Sequence, residues 1–283
     1  MELKCEQTGE ARNQVKILMI GDVYGDSGLR ALTEYLPILK KKHTFALVIA
    51  NGENVSGGSS LLEKDYLLMK RVGIDVITSG NHIFRKREIW KYIYKVDDLL
   101  VPLNYNHYLL KEKDFLQGSI VREIAPGFKV RVSNVLGQTF MPQHYENPFV
   151  ALEKVIALDN QESFHIVDFH AEATAEKIAL ALFFDGKLGC VYGTHTHVQT
   201  ADNRLLEGGT AFITDVGMTG PYYSVIGASK KIIMKRLREG LPIKIEQASG
   251  AYQFSGVILT VDINLKRTIS WERIYYHEND KDN

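Results

Sequence analysis

Three short apolar runs in the first eighty residues each end at a glycine-containing polar turn, and this recurrence constrains the fold more than any other feature. "VKILMI" (15–20) runs into Gly21-Asp22, "FALVIA" (45–50) into Asn51-Gly52-Glu53-Asn54, and "DVITS" (75–79) into Gly80-Asn81-His82. Short, β-branched runs without polar alternation are the pattern of strands covered on both faces. Between them, 29–42 and 61–72 carry apolar residues at helical spacing, with Pro37 weakening the first. This alternation predicts a mostly parallel sheet with covering helices.

The rest of the chain adds a second set of elements. After a helical stretch at 88–94, "SIVREI" and "FKVRVSNV" alternate as antiparallel strands do. A helix is expected at 148–158, a strand at 164–169 ending at His170, and a helix at 175–184. Strands follow in "KLGCVYG" and "GTAFITDVG", then a basic helix at 228–239 with Ile232, Ile233 and Leu237 on its apolar side, and an alternating tail from about 250. No repeat, low-complexity tract or linker interrupts the 283 residues. Two sheets in one sandwich-like domain spanning 15–283 are therefore expected, after a flexible polar extension over 1–14.

Charge and cysteine usage exclude several functions. Lysine plus arginine and aspartate plus glutamate both number 34, so no long-range field draws in nucleic acid or an anionic membrane. A strong nucleic-acid platform is not expected, and an anionic substrate must be held locally. Cys5 and Cys190 are the only cysteines and lie outside any C-x-x-C spacing, which suits a reducing compartment rather than a disulfide scaffold or thiolate metal site. No apolar run approaches the ~20 residues of a membrane span. A cytoplasmic protein is the expectation. "GDVYGDSG" has neither the dinucleotide-binding spacing nor the Gly-Lys-Ser/Thr of a phosphate loop.

The polar residues at the strand ends form a chemically coherent set: Asp22, Glu53, Asn54, Asn81, His82, His170, His195 and His197. In open α/β folds ligands bind beyond the carboxyl ends of strands, which gives all eight a common place to meet. Carboxylates, amide oxygens and imidazoles without thiolates suit manganese, iron or zinc. In an extended segment His195 and His197, two positions apart in "GTHTHVQT", face the same side. One such pair is weak grounds, since a single histidine is more often a satisfied or surface imidazole; the clustering carries the argument. Gly21, Gly52, Gly80 and Gly193 each precede a proposed functional group, where a glycine lets the backbone approach a ligand. Eight candidates exceed what one tetrahedral ion needs, while two ions sharing the Glu53 carboxylate would use seven and leave one acid.

Together with "DFHAEAT" (168–174), "GTHTHVQTADNR" (193–204) and "TDVGMTGPY" (214–222), the strand-end motifs resemble the YmdB-like branch of the calcineurin-like metallophosphoesterases, from about residue 15 to near the end of the chain. The resemblance implies a four-layer αββα sandwich of two mixed sheets flanked by helices. It implies that Asp22, Glu53, Asn54 and His197 hold one metal, that Glu53, Asn81, His170 and His195 hold the other with Glu53 bridging, and that His82 protonates the leaving oxygen. Iron or manganese would fill the site, a metal-activated hydroxide would attack phosphorus, and small phosphodiesters, notably 2′,3′-cyclic nucleotides, would be the substrates. Tyr24 stands where the wider superfamily has the histidine of its Asp-x-His motif, and Glu53 where most relatives have aspartate; both departures belong to this branch.

Two other functions share these residues: a phosphomonoesterase using the same ions, and a low-turnover regulatory or RNA-associated metal-binding protein. The roles of Thr194, Thr196, Asp215 and Tyr222 stay open, as does assembly into a homo-oligomer. Ser27 reads as an ordinary cap for the helix beginning near Asp26.

Overall fold

A computed structural model describes residues 13–105, 117–159 and 162–278. Of the expected extension over 1–14, residues 1–12 lie outside the described residues, as does Cys5, and Gln14 already belongs to a strand. In chain order the elements are β1 (Gln14–Ile20), β2 (Asp22–Val23), α1 (Gly25–Lys42), β3 (Phe45–Asn51), α2 (Glu63–Val72) and β4 (Val76–Thr78). Next come β5 (Ser119–Ala125), β6 (Phe128–Leu136), α3 (Pro148–Asp159), β7 (Phe164–His170), α4 (Thr174–Phe183), β8 (Cys190–Thr194), β9 (Arg204–Leu205) and β10 (Ala211–Ile213). β11 (Met218–Pro221), α5 (Lys230–Glu239), β12 (Tyr252–Asp262) and β13 (Arg267–His277) complete them.

Among the described residues the strands form two mixed sheets. The first runs β2-β11-β12-β1-β3-β4, with β13 also paired to β12; β1, β3 and β4 are parallel and β12 antiparallel to β1. The second runs β5-β6-β7-β8-β10-β9, with β6, β7, β8 and β10 parallel and β5 antiparallel to β6. Both expected strand habits are present, the βαβ alternation in one part of each sheet and the antiparallel hairpins at the edges.

Side-chain alternation along the strands separates four layers. On β1, Leu18 and Ile20 pack with Leu32, Leu36 and Leu39 of α1 and Met69 of α2. Ile17 and Met19 point the other way and meet Val130, Ile166 and Tyr192 of the second sheet. On β7, Val167 and Phe169 turn outward onto Leu152 of α3 and Leu180 and Ala181 of α4. The order is helices, sheet, sheet, helices, so the parallel strands are apolar on both faces because each lies between a sheet and helices.

Three local expectations differ from the structure. The expected helix at 88–94 is two 3₁₀ segments, Arg87–Lys91 and Ile93–Lys95, interrupted at Tyr92 with φ −134°. Ile89, Tyr92 and Ile93 are all buried, so the i, i+3, i+4 pattern that suggested an α-helix survives as the buried face of the two shorter segments. Helix α1 begins at Gly25 and continues through Pro37; Ser27 lies inside its first turn, and Tyr24 takes the cap position without a side-chain bond. The Gly25 amide instead donates to the Asn54 carbonyl at 3.0 Å, tying the helix start to the loop after β3. No helix among the described residues is long and apolar enough to cross a membrane.

Candidate active site

Every strand that the sequence pattern ends in a polar turn delivers that turn to one place. Asp22 follows β1, Glu53 and Asn54 follow β3, and Asn81 and His82 follow β4, all from the first sheet; His170 ends β7, and His195 and His197 follow β8 in the second. The site therefore sits across the seam between the sheets, at the carboxyl ends of their parallel strands.

Around the Nε2 atom of His170, three other donors lie close: His195 Nδ1 at 3.0 Å, Asn81 Oδ1 at 3.1 Å and Glu53 Oε1 at 3.2 Å. Glu53, His170 and His195 offer ligand atoms that all lie within 4.8 Å of one another. A second group adjoins it through the same Glu53 oxygen. Asn54 Nδ2 is 3.1 Å from Glu53 Oε1 and 3.2 Å from His197 Nε2, which is 3.8 Å from Asp22 Oδ1. As placed, Asn54 turns its amide nitrogen to these donors, and its oxygen accepts from His82; rotating the amide by half a turn exchanges them. All eight residues expected from the sequence thus meet in one constellation.

Each imidazole is anchored by the nitrogen that faces away from the centre. His197 Nδ1 lies 2.8 Å from the Ile226 carbonyl, which can only accept, so this nitrogen carries the hydrogen and Nε2 the lone pair. His195 Nε2 is 3.1 Å from the Glu172 carboxylate, leaving Nδ1 for the centre. His170 Nδ1 is 2.9 Å from Thr194 Oγ1, whose own hydrogen goes to Asp168 Oδ1 at 2.6 Å, again leaving Nε2 inward. Carboxylate and carbonyl partners of this kind orient metal-binding histidines. His82 is held differently: its Nδ1 pairs with Asn54 Oδ1 at 2.8 Å and its amide donates to Glu53 Oε2 at 2.8 Å, leaving Nε2 as the free ring nitrogen.

The electrostatics favour cations here. Burial raises the Asp22 carboxyl pKa, with His197 and His170 opposing that rise, and Oδ1 of this fully buried side chain has no hydrogen-bond partner. An orphaned buried carboxylate oxygen costs folding free energy unless something positive meets it. Burial also works against ionised Glu53, but the neighbouring His170 and then His82 hold it well below the ordinary carboxylate range. His170, despite its burial, is pushed up to about 9 chiefly by Glu53. Burial, then the charge of His170, brings His195 down to about 2. Two buried acids sharing a single strongly basic imidazole form a site whose donor set fits divalent cations.

Backbone geometry explains how the loops come so close. The φ of Gly80 is not left-handed; what matters is space, because a Cβ there would collide with Glu53 Oε2 and His170 Nε2. At Gly193 it would meet the Thr214 carbonyl, and at Gly21 that of Gly217. The histidine pair departs from the extended geometry expected for it. β8 ends at Thr194, and His195 and His197 both adopt left-handed φ, 96° and 66°. The two rings consequently serve different donor groups, His195 that of His170 and His197 that of Asp22.

Several supporting residues carried too little sequence signal to be given a role. Asp168 lies between the sheets, receiving Thr194 Oγ1, Asn51 Nδ2 and, in a very short bond, Thr78 Oγ1. Glu172 orients His195, and Lys177, the lone charge on the buried side of α4, donates to Asp215 Oδ2 at 2.9 Å and to the Thr194 carbonyl at 2.8 Å. Asp215 also accepts from the amide and hydroxyl of Thr196. The hydroxyls of Thr194 and Thr196 are therefore engaged in holding the histidine loop. Tyr222 stacks on His277 with ring centroids 5.0 Å apart and lines a neighbouring cavity.

The constellation opens into a cavity of about 570 Å³ bordered by Tyr24, His82, Arg85, His195 and His197. Comparison with known proteins follows the same outline. The model of the family described as YmdB-like protein matches residues 18–274. The chain is 41% identical over 266 residues to a 2′,3′-cyclic-nucleotide 2′-phosphodiesterase of Bacillus subtilis, covering 93% of this chain and 98% of that protein. It is 40% identical over 271 residues to a putative phosphatase/phosphodiesterase of Mycoplasma pneumoniae, covering 95% of each. A crystal structure of a phosphatase from Mycoplasma pneumoniae superposes with a TM-score of 0.88 at 38% identity, covering 94% of each chain.

Proposed function

This chain belongs to the YmdB-like protein family, and on that premise we propose that it is a metal-dependent phosphodiesterase acting on small phosphodiesters, 2′,3′-cyclic nucleotides above all. One observation carries the reading: two donor groups share Glu53 Oε1 in the lining of a cavity of nucleotide size. The Bacillus subtilis relative bears that activity in its name.

In this reading Asp22, Glu53, Asn54 and His197 hold one cation and Glu53, Asn81, His170 and His195 the other, with iron or manganese as occupants. Bound there, such a pair supplies positive charge to the phosphate oxygens and lowers the pKa of water toward neutrality. The protein's own part is threefold. Glu172, Thr194 and the Ile226 carbonyl fix the imidazole tautomers so that lone pairs point inward. Arg85, on the rim, offers a charge to the anionic substrate. His82 presents Nε2 to the departing ribose oxygen and gives it a proton. Burial lowers the His82 pKa, with Glu53 acting against the shift, and a bound phosphodiester anion works in the same direction as Glu53. A cytoplasmic setting belongs to this reading.

The test pairs elemental analysis with rates on one preparation. Turnover of a 2′,3′-cyclic nucleotide and of bis(p-nitrophenyl) phosphate, exceeding that of p-nitrophenyl phosphate and lost on chelation, is the expected outcome. A preference for the monoester makes the protein a phosphomonoesterase instead, and turnover insensitive to chelation removes the metal from the reading.

A further inference from the structure

The lining of the same cavity is not all polar. Val225, Ile226 and Ala228, Ile233 and Leu237 of α5, and Ile245 give it an aliphatic wall, which adjoins the donor groups where the Ile226 carbonyl lies 2.8 Å from His197 Nδ1. Helix α5 buries none of its ten residues, and Leu237 is 77% and Ile226 54% exposed. Ile233 and Leu237 are one helical turn apart and so share a face. That face turns onto the cavity instead of into the core, an arrangement with no packing benefit to the fold.

We infer that this aliphatic wall is a nucleoside subsite, on which the base of the substrate lies while its phosphate is held among Glu53, His195 and His197. The inference rests on the phosphodiesterase reading and adds where the nucleoside goes. A phosphate held among the donor groups leaves the ribose and base to extend through the rest of the cavity, and a base presents two flat faces suited to burial against aliphatic side chains. The charge on the helix favours this occupant over a second copy of the chain. Lys230, Lys231, Lys235, Arg236 and Arg238 outnumber the single acid Glu239, so two such helices brought together repel, whereas an anionic nucleotide is attracted. The apolar wall offers no hydrogen-bonding pattern with which to tell one base from another. These aliphatic side chains therefore respond to whether a base is present, not to which base it is.

The experiment compares kcat/KM for a 2′,3′-cyclic nucleotide with that for methyl riboside 2′,3′-cyclic phosphate, which lacks the base, using manganese-loaded protein. The wild type should prefer the nucleotide by about tenfold or more, and the four common bases should differ by only a few-fold. In Leu237→Asp the preference should shrink about tenfold, through KM, with Ile233→Asp as the second variant. Both positions are solvent-accessible, and a thermal melt reports on folding. A wild type that treats both diesters alike overturns the subsite while leaving the phosphodiesterase reading intact; hydrolysis of neither diester removes both. Equal losses on the two substrates in the variants also overturn it. So does sedimentation showing that Leu237→Asp dissociates an oligomer, which would make the wall a contact between copies.

Discussion

Lys177 and Asp215 form an ion pair at 2.9 Å with both side chains fully excluded from solvent, and the pair grips the loop that carries His195 and His197. Lys177 holds the Thr194 carbonyl and Asp215 the Thr196 amide, so the two left-handed histidines are fixed from behind. Lys177→Met leaves the Asp215 charge buried and unpaired, and a loss of about 3–5 kcal/mol in urea unfolding is expected. The double variant Lys177→Met/Asp215→Leu should recover much of that stability without recovering manganese content. Full recovery of metal by the double variant would show that the pair stabilises the fold without positioning the loop.

Asp22 gives a prediction of opposite sign. Its Oδ1 is buried without a partner, while Oδ2 accepts from the His195 amide at 3.0 Å. Asp22→Asn removes a buried charge that His170 and His197 meet only at 3.8 Å, and in chelator the variant should be more stable than wild type by about 1–3 kcal/mol. With manganese present the order should reverse, because only the wild type gains binding free energy. Thermal melts with and without metal read both halves; a variant less stable in both conditions contradicts the assignment.

Gly80→Ala places a methyl group where Glu53 Oε2 and His170 Nε2 already are. Metal content and turnover should collapse while the far-ultraviolet circular dichroism spectrum is retained, since β4 itself ends two residues earlier. Near wild-type metal content in this variant would show that the two side chains can part freely.

His82→Ala should reduce turnover by about 10²–10⁴-fold with metal content unchanged. The bond from its main-chain amide to Glu53 Oε2 survives the substitution, so Glu53 keeps that contact. Loss of metal along with rate would reassign His82 from proton donor to ligand support.

A pH effect is expected far from the active site. His165, buried on β7 with Nε2 2.8 Å from Ser133 Oγ, is pulled down to about 3 by burial and then by Arg131, against an ordinary value near 6.5. The unfolded chain therefore takes up a proton between those limits that the folded chain refuses. Stability is full above about 6.5 and falls as pH drops toward 3, with a slope from this group of up to about 1.4 kcal/mol per pH unit. Urea titrations at pH 7.5 and 5.0 should show a smaller difference for His165→Asn than for wild type; equal differences would mean that His165 protonates as readily in the fold.

The strands and the eight strand-end residues were legible in the sequence because both signals are local. β1 from Ile17 and β3 up to Asn51 are apolar runs, β7 is apolar but for His165 and Asp168 before it ends at His170, and a polar residue or turn after each is visible without knowing the partner strand. Which donors group together was not local: it depends on β8 lying beside β7 and on left-handed φ at His195 and His197, which the expectation of an extended segment missed. The break at Tyr92 that divides 87–95 into two 3₁₀ segments leaves no mark on the apolar pattern, since Ile89, Tyr92 and Ile93 keep α-helical spacing. The role of Lys177 is likewise not local. A lysine in "AEKIALAL" reads as a solvent-facing residue until Asp215, thirty-eight positions later, is placed beneath it.

Because Glu53 comes from one sheet and His170 from the other, an ion gripped by both is a rivet through the sandwich. Its affinity is then partly a measure of how firmly the two halves are kept from sliding past each other. Substitutions in the apolar seam, such as at Met19 or Tyr192, can loosen the ion without coming near it.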